Sequence, residues 1–143
     1  MKTSIVIITY NNVEYTKQCI ESIKNYTEEG TYEIIVVDNN STDGTIDWLK
    51  SNKDIKCIYN TENKGFPAAC NQGIKLANNN DILLLNNDVI VSPNWLQNLN
   101  ICLYSSSDIG AVGSVTNNCS YAQVIPAAYK SKDEMIQFAR RNN

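Results

Sequence analysis

The chain of 143 residues contains no histidine. That absence removes Ser-His-Asp and Cys-His nucleophilic mechanisms and zinc sites built on imidazole. Its five cysteines, Cys19, Cys57, Cys70, Cys102 and Cys119, stand far apart with no C-x-x-C pair. Neither a zinc spacing nor a disulfide framework emerges, so they read as reduced, small core residues in a cytosolic compartment. Long apolar runs are missing as well. The N-terminal run Ile5-Val6-Ile7-Ile8 is too short for a signal segment, and nothing reaches membrane-spanning length. Any membrane association is expected to belong to a larger parent protein. Basic residues do not cluster beyond Arg140-Arg141, and the net charge is -3, which argues against nucleic acid as the main partner. Six glycines form neither G-x-G-x-x-G nor G-x-x-x-x-G-K-[ST], so the two commonest nucleotide folds are disfavoured.

What remains is enough hydrophobic residue, 43%, for one domain to bury a core without staples. Short β-branched runs at 4–9, 33–38, 55–59, 82–85 and 109–115 alternate with stretches of helical period. Cys19, Ile20 and Ile23 are spaced for one face of a helix over 12–26. A shorter helix is expected over 45–51, and Pro67 fits the first turn of one over 67–77. Ser92-Pro93 reads as N-cap and first residue of a helix running to about Leu103. Ser131-Lys132-Asp133-Glu134 fits a capping box ahead of Met135, Ile136 and Phe138. Nearly continuous hydrophobicity marks strands buried on both faces, hence an α/β domain with a mostly parallel sheet flanked by helices. One domain over 1–143 is expected.

Three polar clusters follow predicted strands: Thr9-Tyr10-Asn11-Asn12, Asp38-Asn39-Asn40-Ser41-Thr42-Asp43-Gly44 and Asn86-Asn87-Asp88. Open α/β sheets bind ligands at the carboxyl ends of their strands. Any one cluster serves equally well as turn and cap chemistry. Asp88, however, lies between the apolar residues 82–85 and 89–91, where an unpaired carboxylate is costly unless it meets a cation. Lys64-Gly65-Phe66-Pro67 lies at a helix start, where backbone N–H groups meet anions.

These motifs resemble family 2 glycosyltransferases. Ser4-Ile5-Val6-Ile7-Ile8-Thr9-Tyr10-Asn11-Asn12 is similar to the family's first strand and loop. Val36-Val37-Asp38-Asn39-Asn40-Ser41-Thr42-Asp43-Gly44-Thr45 is similar to the second. Asn63-Lys64-Gly65-Phe66-Pro67-Ala68-Ala69-Cys70-Asn71-Gln72-Gly73 resembles the next signature, and Leu84-Leu85-Asn86-Asn87-Asp88 stands where the family has D-x-D. The four occur in order over residues 3–91.

The resemblance implies a GT-A (Rossmann-like) fold, with the acceptor-side part missing from this chain. It implies a nucleotide-sugar site of Thr9, Tyr10, Asn11, Asp38, Asn40, Lys64, Gly65 and Asn87, with Asp38 accepting from the base and Asn71 bracing the 63–65 turn. Asp88 with Asn86 would hold Mn²⁺ or Mg²⁺, oxygen-seeking cations that share ligands with phosphates. The implied activity is inverting, metal-assisted transfer of a sugar from a nucleoside diphosphate, UDP foremost, to a hydroxyl of a glycan or lipid-linked acceptor. The implied setting is bacterial polysaccharide or glycan biosynthesis.

Two departures stand out. Asn86 brings no charge to the metal position. The general base that inversion requires has no good candidate among Asp108, Asp133 and Glu134, so it is expected outside the chain. The alternative reading is a module that holds a nucleotide sugar without turnover. A sugar nucleotidyltransferase is disfavoured because residues 9–12 contain neither Gly nor Arg. A signalling α/β domain would leave residues 64–73 unexplained.

Overall fold

Val, Ile and Thr dominate β1 (Thr3–Thr9) and β2 (Tyr32–Asp38), residues that fit a pleated, buried surface. The computed structural model, which describes residues 2–78, 81–116 and 123–142, places them at the centre of a sheet. The order along the chain is β1, α1 (Val13–Tyr26), β2, α2 (Thr45–Ser51), β3 (Ile55–Tyr59), α3 (Phe66–Leu76), β4 (Asp81–Asn86), α4 (Trp95–Leu103) and α5 (Lys132–Asn142). The chain divides into two compact units, Met1–Ile90 and Val91–Asn143. Cys119 lies outside the described residues.

The first unit holds a four-stranded parallel sheet in the order β3-β2-β1-β4. Alternate residues point to opposite faces. On one face Val6, Ile8, Ile35 and Val37 pack with Ala69 and Cys70 of α3. The alternates Ile5, Ile7, Ile34 and Val36 are equally buried, as are Cys19, Ile20 and Ile23 of α1 and Leu49 of α2. Gly73 permits the close approach of α3: a methyl there would sit 2.3 Å from Val6 Cγ1. Burial on both faces holds for β1 and β2 but not for β4, where Ile82 and Leu84 are 36% and 50% exposed. In register these two stand beside Ser4 and Val6, at the end of the sheet rather than its middle.

Register also decides where the site lies. Thr9 pairs with Asp38, Asp38 with Tyr59, and Ile8 with Asn86. The polar clusters after β1, β2 and β4 therefore share one edge.

In the second unit two expectations are corrected. Residues 109–115 form no strand: Gly110 and Gly113 interrupt the run, Val115 is 57% exposed, and among the described residues an isolated bridge joins Thr116 to Val124. Propensity without a ladder partner does not make a strand. The helix expected from Ser92-Pro93 begins at Trp95 instead, after Asn94 turns left-handed at φ 64°. The capping box holds in modified form. Glu134 N–H donates to Ser131 Oγ at 3.2 Å, while its carboxylate accepts from Lys130 N–H at 2.7 Å. Among the described residues no helix is long and apolar enough to cross a membrane.

Candidate functional site

The turn after β1 and the turn after β2 are bonded to each other. Asn11 and Asn12 (both φ 59°) and Asn40 (φ 71°) adopt the left-handed conformation, which asparagine tolerates better than most residues. Asn11 N–H donates to Ser41 Oγ at 2.7 Å, and Asn11 Oδ1 accepts from Thr42 N–H at 2.8 Å. Asp43 completes the join. Its Oδ2 accepts from Val13 N–H at 3.0 Å, and its Oδ1 from Thr45 N–H at 3.2 Å and Thr45 Oγ1 at 2.6 Å. Desolvation opposes charge on Asp43, but the bonds from Thr45 and Val13 outweigh it and hold the carboxyl below its ordinary value. Tyr10 is 51% exposed beside this join, and Asn40 is exposed.

Asp38 lies beneath. It is fully buried. Its Oδ2 accepts from Ser41 N–H at 2.9 Å, whereas Oδ1 has no hydrogen-bond partner among the described residues. A buried carboxylate oxygen left so is costly unless a donor arrives. Thr9, expected to line a pocket, is 1% exposed and supports the edge from within. Its hydroxyl pairs with Thr16 Oγ1 at 2.9 Å, and Asn87 Nδ2 donates to Thr16 at 3.1 Å and to Thr9 at 3.3 Å.

A chain of amides carries the edge across to α3. Asn60 Nδ2 donates to Asn39 Oδ1 at 2.8 Å and to Gln72 Oε1 at 2.9 Å, and Gln72 Nε2 returns a bond to Asn60 Oδ1 at 2.9 Å. Asn39 Nδ2 donates to the Gly65 carbonyl at 3.5 Å. Gly65 (φ 78°) precedes α3, and its N–H donates to Asn63 Oδ1 at 2.9 Å. Lys64 is exposed there. Asn71, expected to brace this turn, is exposed; the bond that ties the turn to the sheet edge comes from Asn39, whose partner Asn60 is held in turn by Gln72.

At the end of β4, Asn86 and Asp88 are both exposed. The desolvation argument for a cation at Asp88 is therefore corrected: the carboxylate sits in a turn that water reaches, despite its apolar neighbours in sequence. Burial pushes the Cys19 thiol up to about 12, and the negative charge of Asp88 adds to this; Cys19 Sγ contacts the Asn86 carbonyl at 3.5 Å. Among the described residues no group of three acidic or thiol ligands forms a metal cage. One carboxylate and one amide oxygen, both open to solvent, instead suit a hard cation that draws its remaining oxygens from a phosphate ligand and water.

The downstream acids are engaged locally. Asp108 accepts from Ser106 Oγ, and Asp133 and Glu134 occupy the first turn of α5. Sequence reasoning missed the supporting roles of Thr16, Ser41, Asp43, Asn60 and Gln72. Asp43 carried a signal, an acid just ahead of a helix.

Residues 4–134 match glycosyl transferase family 2. A Haemophilus influenzae protein described as an uncharacterized glycosyltransferase is 32% identical over 139 residues, 91% of this chain and 42% of that protein. Mannosyltransferase PcManGT from Pyrobaculum calidifontis, solved in complex with GDP-Man and Mn²⁺, superposes with a TM-score of 0.66 at 22% identity, over 72% of this chain and 32% of its own. S. aureus TarS 1-349 in complex with UDP-GlcNAc gives 0.65 at 23% identity, over 80% and 38%. The chain spans less than half the length of each of these proteins. The two structural likenesses show the fold, an α/β sheet of GT-A type.

Proposed function

The chain belongs to glycosyl transferase family 2, and from that membership we propose that it is the donor-binding part of a glycosyltransferase domain. The enzyme would move a sugar from a nucleoside diphosphate to an acceptor hydroxyl with inversion, in polysaccharide or glycan assembly. The observation that carries this reading is Asp38. A fully buried carboxylate with one oxygen unpartnered among the described residues stands at the sheet edge, under two joined turns. It can only accept hydrogen bonds, so it suits a base with an imino N–H: uracil, thymine or guanine. Tyr10, Asn11 and Asn40 on the turns above would flank that base. Lys64 and the backbone of Gly65, ahead of α3, would face the ribose or diphosphate, with Thr9 and Asn87 holding the floor. The ligands of the two solved relatives, GDP-Man and UDP-GlcNAc, support the substrate class.

Asp88 and Asn86 would hold Mn²⁺ or Mg²⁺ together with phosphate oxygens. Bound there, the cation supplies Lewis-acid stabilisation of the negative charge on the departing diphosphate. With one charged ligand from the protein, cation and nucleotide should bind together and each weakly alone. Titration calorimetry with UDP and with GDP, each with and without Mn²⁺, tests the reading. Asp88→Ala should abolish the gain that Mn²⁺ confers, and Asp38→Ala should weaken nucleotide binding even without it. Unchanged affinities in both folded variants would refute the assignment; melting curves establish that they fold.

A further inference from the structure

We propose that Asp43 is a positioning residue for the donor: its carboxylate locks the turns after β1 and β2 into one preformed edge. The inference rests on the nucleotide reading above. Val13 and Thr45 are the first residues of α1 and α2, so a single carboxylate serves the first N–H groups of two helix starts, which have no acceptor within their own helices. Both helix starts lack a side-chain cap from their own preceding residue, because left-handed Asn12 and Gly44 stand there. Asp43 caps α2 from two residues upstream and α1 from across the gap.

The lock has two further bolts, Asn11 to Thr42 and Asn11 to Ser41. Ser41 in turn donates its N–H to Asp38. The acceptor offered to the base is thus tied through Ser41 and Asn11 to the turn that bears Tyr10. Three asparagines in these turns stand in the left-handed region, which side-chain-bearing residues adopt at a cost in backbone strain, and cross-turn bonds keep that conformation populated. Without them the nucleotide must order the edge as it binds, and affinity falls by the fraction of chains already ordered.

A residue that merely caps helices would lower the melting temperature yet leave the dissociation constant of the folded protein unchanged. The test is calorimetry of the 143-residue chain with UDP and GDP, well below melting, on wild type, Asp43→Asn, Ser41→Ala, which removes the acceptor of the Asn11 N–H, and the double variant. Asp43→Asn should bind on the order of tenfold more weakly, with the Val13 amide resonance displaced. The double variant should lose less than the product of the two single losses, as groups acting in one lock do. If wild type binds and Asp43→Asn matches it within about twofold, the proposal is overturned and the functional reading stands. If wild type binds neither nucleotide, both fall. Should Asp43→Asn fail to fold, Ser41→Ala carries the same expectation, and an unchanged dissociation constant there overturns it.

Discussion

Replacing Gly73 with alanine should destabilise the protein, against the usual direction for an exposed helical glycine. The new methyl would meet Val6 Cγ1 at 2.3 Å, Val37 Cγ2 at 3.3 Å and Val6 Cβ at 3.5 Å. Carbon atoms settle about 3.5–4.0 Å apart, so Val6 or the helix must yield by more than about 1 Å. Val6 and Val37 are 1% and 0% exposed, and β-branched side chains are stiff at χ1, which leaves withdrawal of α3 as the way out. Overpacking of this kind costs about 1–3 kcal/mol, and so close a contact belongs at the upper end. Higher helix propensity returns about 1 kcal/mol. The net loss of about 2 kcal/mol corresponds to roughly 6–8 °C in Tm for a chain of this size. Withdrawal also carries Gly65 away from Asn39, whose bond is already 3.5 Å, so nucleotide affinity should weaken with stability. Thermal unfolding followed by circular dichroism is the assay. A Tm equal to or above wild type would refute the packing argument, because relief of glycine's unfolded-state entropy would then have won.

Two more outcomes follow from the opposite edge and from the amide chain. Burial opposes charge on Glu33, but Lys56 Nζ at 2.6 Å, Ser4 Oγ at 2.5 Å and Asn78 N–H at 2.9 Å outweigh it, lowering its pKa from 4.5 to about 2. Stability from a depressed carboxyl is present above pH 4.5 and lost as pH falls towards 2. Glu33→Gln should therefore lower Tm at pH 7 and converge with wild type over that window. The gap sets an upper limit of roughly 3 kcal/mol, reduced because solvent reaches the Lys56 side chain, which is 39% exposed. A constant difference in Tm across the window would contradict the assignment. Asn60→Ala leaves Asn39 and Gln72 without their shared partner, so chemical denaturation should show a loss of about 2–4 kcal/mol; a loss under about 0.5 kcal/mol would mean that water replaces the amide.

Much of this architecture is legible in sequence because period and composition agree. The run 55–59 and the helix 45–51 fall where expected, and β1, β2, α1 and α3 differ by a residue at their ends. The failures have physical causes. Residues 109–115 carry the right residue types, yet a strand exists only through its ladder, and ladders are not written locally. Ser92-Pro93 has the chemistry of a helix start, but Asn94 turns left-handed and delays it. Asp88 shows that apolar neighbours along the chain do not bury a side chain that sits in a turn. Asp38 could be picked out by motif, whereas its unpartnered oxygen could not. Likewise Asn60 and Gln72 become partners only through the packing of α3 on the sheet, and Asp43 reaches Val13 across 30 residues of chain.

The central claim is that nucleotide and cation share the carboxyl edge of this sheet, and paramagnetic broadening by Mn²⁺ tests it directly. With UDP or GDP present, amide resonances of Asn86, Asp88, Lys64 and Gly65 should broaden at low Mn²⁺ while those of Thr3 and Glu33 stay sharp. Broadening centred elsewhere, or identical with and without nucleotide, would contradict the account.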